Sequence, residues 1–125
     1  MPLIDTTQLD TFTLPGLRHP TQADARQGLE TLERWQHRMA PGSATPMHRH
    51  ACEEVVPVLA GYGICLVDGQ RHGFGPNSTL NVPQDAVPPL INTSDQQLRW
   101  VAALGMAPVV VQDPSGATLA LPWQR

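Results

Sequence analysis

The sequence predicts an all-β domain, built as a barrel or sandwich of many short strands. From Glu53 onward, short apolar runs alternate with turn sequences such as Asp68-Gly69 and Gly75-Pro76-Asn77-Ser78. The 13 prolines punctuate these runs along the chain and do not cluster in a linker. A chain of 125 residues has the usual length of one domain with one hydrophobic core.

Composition excludes several classes of protein. Hydrophobic residues make up 41% of the chain and charged residues 15%, which argues for a compact globule and against disorder. The formal net charge is -3 and no basic run occurs, so we expect neither nucleic acid nor an anionic membrane as partner. No apolar stretch reaches the roughly 20 residues of a membrane span, and no signal peptide is visible. We therefore expect a cytoplasmic protein.

The two cysteines, Cys52 and Cys65, do not indicate a disulfide framework, and we expect both thiols to stay reduced in the cytoplasm. Cys65 lies in an apolar run and is expected to be a small buried hydrophobic residue. Cys52 stands between His50 and Glu54. It is either an additional soft metal ligand or an ordinary strand or turn residue.

The first third of the chain is less regular than the rest. We expect residues 1–28 to form an N-terminal arm with one or two short strands, residues 29–112 to form the barrel core, and residues 113–125 to form a C-terminal hairpin. Residues 21–39 fit two periodicities, because their apolar residues recur at near-helical spacing while alternate residues from Glu33 to Met39 would share one face of a strand. Gly28 would lie awkwardly inside such a helix.

The remaining strands are predicted from alternation between turn signals. Asp68-Gly69, flanked by apolar runs, is typical of a tight hairpin turn. A last hairpin is expected across Asp113-Pro114-Ser115-Gly116, between residues 109–111 and 118–121. The other predicted strands are 55–59, 64–67, 71–74, 79–82, 90–92 and 97–104.

The most specific chemical signal is the group His48, His50 and Glu54. Two imidazoles and a carboxylate are ligands for first-row transition metals. On an extended strand, side chains two apart point to one face, so the two histidines are expected to point the same way. Glu54 reaches that face either by continuing the strand or from the next strand, if the chain turns near Ala51. Both routes predict three metal ligands from one short segment.

Residues 42–61 fit the pattern G-x5-H-x-H-x3-E-x6-G. This pattern resembles the first signature motif of the cupin family in every fixed position, with Gly42 and Gly61 at turns. The resemblance implies a single small cupin of the conserved-barrel (cupin 2) type, a jelly-roll β-barrel or double-stranded β-helix. It also implies a metal near the barrel interior, a small organic ligand in the barrel and a homodimer. It favours a strand over about residues 30–40.

Residues 77–92 resemble the second cupin motif, roughly G-x5-P-x-G-x2-H-x3-N. Pro83 and Asn92 match, and they are expected to hold the loop. Asn77 and Asp85 replace the two glycines, which is tolerable because Asn and Asp adopt left-handed backbone conformations more readily than most residues. Pro88 replaces the histidine that the resemblance would make the third imidazole ligand, and proline cannot bind a metal.

Three donors still suffice for a site with positions open to water or substrate. Two histidines and one carboxylate also match the facial triad of non-haem iron oxygenases. We therefore expect a divalent cation (Fe, Mn, Ni or Zn) that is bound weakly because of Pro88. Candidates for an additional ligand, or for a residue supporting the ligands, are Cys52, Asp85, His37 and His72, whereas His19 is expected to be exposed.

The three tryptophans, Trp35, Trp100 and Trp123, either line a ligand pocket or pack in the core or dimer interface, and packing is favoured.

Three functions fit the sequence. The first is a metal-dependent oxygenase or isomerase acting on a small organic molecule, with Glu54 as a ligand or, without metal, a general base. The second is a non-catalytic binding or regulatory module with a degenerate metal site. The third is a metal-free lyase or epimerase with histidine as acid or base, although no His–Asp pair is evident in the sequence. The substrate is not indicated.

Overall fold

A computed structural model describes residues 2–123 of the chain. Within these residues it contains antiparallel strands and two short 3-10 helices, Thr6–Gln8 and Ala25–Gln27, which confirms the all-β prediction. No helix of the described part has the length and apolar character needed to cross a membrane. The strands are β1 Phe12–Leu14, β2 Leu17–His19, β3 Thr21–Ala23, β4 Glu33–Met39, β5 Arg49–His50, β6 Glu54–Ala60, β7 Gly63–Val67, β8 Gln70–Phe74, β9 Thr79–Val82, β10 Leu90–Ile91, β11 Leu98–Leu104 and β12 Val111–Gln112.

The strands form three sheets. The largest has the order β1-β2-β4-β11-β6-β9, with β3 also paired to β4. The smaller sheets are β10-β7-β8 and β12-β5. A bridge between Ala44 and Ile91 ties the chain before β5 to the second sheet. Residues of the two larger sheets share one hydrophobic core, in which Val56 of β6 and Leu98 of β11 lie with Cys65 of β7 and Leu90 of β10.

The strand predicted over residues 30–40 is confirmed as β4, and its register sets the site. Alternate residues from Glu33 to Met39 are buried, as the period-two pattern requires. β4 pairs along its whole length with β11, so that Trp100 lies opposite His37. The inner face of β4 therefore places Glu33, Trp35, His37 and Met39 in the interior.

The N-terminal residues form three strands where one or two were expected, whereas the chain returns on itself near the C-terminus as predicted. β1 to β3 extend the large sheet from residues expected to be an arm, and β2 and β3 both pair with β4. Near the C-terminus, β12 pairs with β5. The chain also returns antiparallel on β12 as the predicted hairpin requires, with a bridge between Gln112 and Thr118 and a hydrogen bond from the Leu119 amide to the Val111 carbonyl oxygen. The Asp113 carboxylate accepts hydrogen bonds from the amides of Ser115 and Ala117, which closes a turn there. Met1 and residues 124–125 lie outside the described residues.

The turn glycines behave as predicted. Asp68 and Gly69 both have positive φ (51° and 75°), as the tight hairpin turn between β7 and β8 requires. Gly61 has φ +84°, and a Cβ there would lie 2.8 Å from the Gln97 carbonyl oxygen and 2.9 Å from Leu98 Cα. A Cβ at Gly69 would meet nothing within 4 Å. Gly61 is thus fixed by both conformation and packing, and Gly69 by conformation alone.

Replacing each of these two glycines with alanine should separate the cost of backbone strain from the cost of overpacking. Gly69→Ala is expected to lower the free energy of unfolding by about 1 kcal/mol through backbone strain. Gly61→Ala is expected to cost about 2–3 kcal/mol, because overpacking against β11 adds to the strain. Urea denaturation of both variants measures the difference, and equal losses would contradict the packing argument.

Candidate metal centre

A small interior cavity contains the three predicted metal ligands. Its volume is about 30 Å³, room for about one water-sized group. Polar side chains gather at this cavity, and apolar residues from five strands and from the loop between β9 and β10 form the rest of its wall. The lining residues are Trp35, His37, Thr45, His48, His50, Glu54, Val56, Leu80, Val82, Ala86, Pro88, Leu90 and Trp100. The structure therefore brings His48, His50 and Glu54 to one cavity, and their role as metal ligands stays a prediction.

His48 immediately precedes β5, and His50 lies within it. Their ring centroids are 4.8 Å apart. His50 is buried, with 5% of its surface exposed, and its carbonyl oxygen accepts a hydrogen bond from the Asp85 amide. His48 is partly buried, and its Nδ1 lies 2.5 Å from the Pro46 carbonyl oxygen, to which it donates. This contact fixes the proton on Nδ1 and leaves the other ring nitrogen, Nε2, as an acceptor.

Glu54 reaches the cavity from a second strand. The chain bends at Ala51 and Cys52, and Glu54 begins β6. This settles the question that the sequence left open, in favour of a turn near Ala51. Glu54 Oε1 lies 3.5 Å from His50 Nδ1. The pairing of β6 with both β9 and β11 holds this carboxylate in the wall of the barrel.

Three other candidate ligands, Cys52, Asp85 and His72, are not brought into the cavity, and His72 is exposed on β8. Cys52 is buried outside the cavity lining, and burial raises the pKa of its thiol, which disfavours the metal-binding thiolate. Asp85 is exposed and has φ +65°, so it serves the loop conformation as predicted. Asn77 likewise has φ +68°. Pro88 does line the cavity, where it offers no donor atom.

The expectation that His19 is exposed is wrong. His19 is completely buried on β2, stacked on Trp123 with ring centroids 3.6 Å apart. Its Nδ1 lies 2.7 Å from His37 Nε2, and its Nε2 lies 2.6 Å from Thr21 Oγ1. Sequence analysis missed this contact because it joins β2 to β4 and has no local spacing. For His37, the available signal in the sequence was the period-two pattern of β4, which places it on the buried face of the strand.

All three tryptophans are buried, as the packing interpretation predicted. Trp35 and Trp100 also line the cavity. Their edges meet imidazoles: Trp35 and His50 have centroids 5.6 Å apart in a T-shaped contact, and Trp100 and His37 have centroids 5.0 Å apart. The tryptophans thus restrict the orientation of two of the histidine rings.

Burial favours the neutral form of the imidazoles in this cavity. It lowers the pKa of His37 to about 3, with further lowering by His48 and His50. Burial also lowers the pKa of His48, against the raising effect of the Pro46 carbonyl and Glu54. A neutral imidazole has a lone pair for a metal, so this environment favours the metal-binding form of both side chains.

Two observations indicate that the residues of this cavity fit a divalent cation. His50 Nε2 and His37 Nδ1 are both buried and have no hydrogen-bond partner among residues 2–123, and buried polar atoms of this kind usually bind a water or an ion. The side chains also combine imidazole nitrogen with carboxylate oxygen, the donors of Zn, Fe and Mn sites. No three of the His, Cys, Asp or Glu side chains described are already arranged around a common point as a ready-made site. The donors share a cavity, and a cation would require them to reorient.

Comparisons with known proteins agree on family and fold. A family model for auxin-binding proteins matches residues 3–112. Auxin-binding protein 1 of Arabidopsis thaliana is 34% identical over 113 residues, which cover 82% of this chain and 57% of that protein. Auxin-binding protein T85 of Nicotiana tabacum is 35% identical over 108 residues, covering 77% of this chain and 58% of that protein. The chain thus spans little more than half the length of these relatives.

Solved structures confirm the predicted cupin fold. A cupin 2 conserved-barrel protein from Salinispora arenicola superposes with a TM-score of 0.68 at 20% identity, covering 86% of this chain and 88% of that one. A polyketide cyclase from Streptomyces resistomycificus gives 0.75 at 17% identity, with 98% and 88% covered. Oxalate decarboxylase from Bacillus subtilis gives 0.77 at 16% identity, with 86% and 30% covered. At these identities the likeness shows the fold alone.

Proposed function

Because this chain belongs to the auxin-binding protein family, we propose that it binds a small organic carboxylate through a divalent cation held by His48, His50 and Glu54. The observation that carries the proposal is the buried, unpartnered Nε2 of His50 in a cavity that also contains His48 and Glu54. A bound cation would supply positive charge for the carboxylate to coordinate. Fe, Mn, Ni and Zn remain the predicted choices.

Charge favours an anionic ligand. A divalent cation and the Glu54 carboxylate would leave a net positive charge beside apolar walls formed by residues such as Val56 and Leu90. Buried charge is costly unless it is paired, so a negative head group is the favoured occupant. A neutral ligand of the same shape would leave that charge unpaired.

Size favours a ligand whose head group alone enters the cavity. The cavity of about 30 Å³ is far smaller than the roughly 300–1,000 Å³ of most small-molecule sites. A neighbouring groove of about 490 Å³ lies along β8, β9 and the loop that follows. Leu80, Val82, Ala86 and Pro88 line both spaces and form the wall between them. We propose that movement of these side chains admits the apolar body of a larger ligand.

The relatives favour binding over the oxygenase and isomerase alternatives, since they are named for binding an auxin. Glu54, the candidate general base, faces His50 at 3.5 Å. This contact suits a role in the donor group and gives no separate support to base catalysis. The homodimer and the cytoplasmic location stay predictions.

Replacing His48 with alanine should remove the cation. Protein purified without chelator or affinity nickel and then dialysed with zinc is expected to retain about one zinc per chain. His48→Ala is expected to retain little, whereas His72→Ala is expected to match the unaltered protein because His72 is exposed on β8. Elemental analysis measures all three. Equal zinc in the His48→Ala variant and the unaltered protein would contradict the proposal.

Carboxylate binding should depend on that zinc. Calorimetric titration of the zinc-loaded protein with benzoate or indoleacetate is expected to show binding at least about tenfold tighter than with indoleacetamide. The difference is expected to vanish for the zinc-stripped protein, because the cation is what distinguishes acid from amide. Equal affinities for acid and amide in the zinc-loaded protein would overturn the carboxylate assignment.

A further inference from the structure

We infer that His37 supplies the fourth protein ligand of the cation site, through Nδ1, in place of the histidine that Pro88 replaces. The inference rests on the proposed cation at His48, His50 and Glu54 and identifies a further residue of that site. His37 comes from β4, outside both signature motifs. The lost ligand would thus be compensated by a different strand.

Position supports this role. His37 lines the same cavity as the three proposed ligands and Pro88. Its side chain is buried, with 8% of the residue surface exposed, and the T-shaped contact with Trp100 restricts its ring. The imidazole of His37 therefore lies in the part of the cavity where the other donors are.

Hydrogen bonding indicates which ring nitrogen of His37 is available to a cation. His37 Nε2 is engaged with His19 Nδ1 at 2.7 Å, whereas Nδ1 is buried and has no partner among residues 2–123. A buried imidazole nitrogen without a partner costs free energy unless a donor or a cation satisfies it. Because the opposite side of the ring is already bonded, Nδ1 is the atom left for a ligand.

Two proton arrangements satisfy the contacts of Thr21, His19 and His37. In one, His37 Nε2–H donates to His19 Nδ1, and His19 Nε2–H donates to Thr21 Oγ1, which leaves a lone pair on His37 Nδ1. In the other, every proton is reversed and His37 Nδ1 carries a hydrogen. Metal-binding histidines usually donate their second N–H to an acceptor that fixes the tautomer. His19 is placed to be that acceptor, so a cation would select the first arrangement, with His19 as a positioning residue.

Cobalt titration tests the ligand. Cobalt(II) added to the chelator-treated protein gives an affinity and a visible spectrum that depends on the ligand set. His37→Gln is expected to weaken cobalt binding about tenfold or more and to change the spectrum, while His72→Gln changes neither. Adding Pro88→His to His37→Gln is expected to restore affinity by returning an imidazole to the cavity. Circular dichroism confirms that each variant folds.

The outcomes separate the inference from the proposed function. If neither the unaltered protein nor His48→Ala binds cobalt, the proposed function fails. If His48→Ala loses cobalt but a folded His37→Gln keeps both affinity and spectrum, the proposed function stands and His37 is not a ligand.

A measurement on the unaltered protein covers the case of an unfolded variant. Nitrogen NMR of histidine-labelled protein with bound cadmium is expected to show metal coupling at His37 Nδ1 and protons on Nε2 of both His37 and His19. A proton on His37 Nδ1 in the cadmium-loaded protein would overturn both the ligand and its positioning by His19.

Discussion

Replacing Asn92 with alanine is expected to lower the free energy of unfolding by about 4 kcal/mol, since buried polar groups left without partners cost about 1–3 kcal/mol each. Asn92 is completely buried. Its Nδ2 donates to the carbonyl oxygens of Met39 and Gln96, at 3.1 and 2.7 Å. Its Oδ1 accepts from the amide and hydroxyl of Ser94, at 3.0 and 2.7 Å. Chemical denaturation at neutral pH measures the loss.

The matched control is Asn81→Ala, because Asn81 is exposed on β9. Its effect is expected to stay within about 0.5 kcal/mol. Asn92→Asp separates the two halves of the amide, since it keeps the acceptor for Ser94 but turns an oxygen toward the carbonyls of Met39 and Gln96. We expect it to be about as damaging as alanine at neutral pH. A loss below about 1 kcal/mol for Asn92→Ala would show that the network contributes little.

Asn92 also explains why part of the second motif persists without its metal ligand. Asn92 Nδ2 holds the end of β4 at Met39, and its backbone carbonyl accepts from the amide of Gly42, the first residue of the first motif. None of these bonds involves Pro88. Pro88 replaces only the residue whose role would be chemical. Structural and chemical residues of a motif are therefore separable.

Much of the fold was predictable because its causes are local. Turn residues with positive φ, such as Asn77 and Gly61, and the alternation in β4 act within a few residues of sequence. The pairing of β12 with β5 was not predictable by the same means. It joins distant segments of the chain that no turn sequence connects.

The candidate site also combines features with local causes and features that depend on distant pairing. His48, His50 and Glu54 lie within seven consecutive residues, so spacing alone placed them together. His37 and its contact with His19 depend on the pairing of β2 with β4, which brings residues 18 positions apart into hydrogen-bond distance. Burial of His19 also depends on stacking against Trp123, from the other end of the chain. No local pattern encodes such contacts.

Glu33, at the start of the same inner face of β4, supports the second large prediction. Glu33→Ala is expected to lower the free energy of unfolding by about 4 kcal/mol, because two buried donors lose an acceptor. Glu33 is 6% exposed; its Oε1 accepts from Trp35 Nε1 at 2.7 Å and its Oε2 from the Val109 amide at 2.9 Å. Denaturation at neutral pH measures the effect. Glu53→Ala is the control, since Glu53 is exposed immediately before β6.

The pH dependence of stability gives Glu33 a distinct signature. Burial raises the pKa of Glu33 above 4.5, although the bonds from Trp35 and Val109 oppose the rise. Between the unfolded and folded pKa values the folded protein binds more protons, so its stability falls as pH increases through that interval. Glu33→Gln removes this titration. The stability of the unaltered protein relative to Glu33→Gln is therefore expected to decrease as pH rises from about 4.5, with a limiting slope of about 1.4 kcal/mol per pH unit. A difference that stays constant or increases with pH would mean that the two hydrogen bonds outweigh burial, and that the charged carboxylate is the form that stabilises this end of β4.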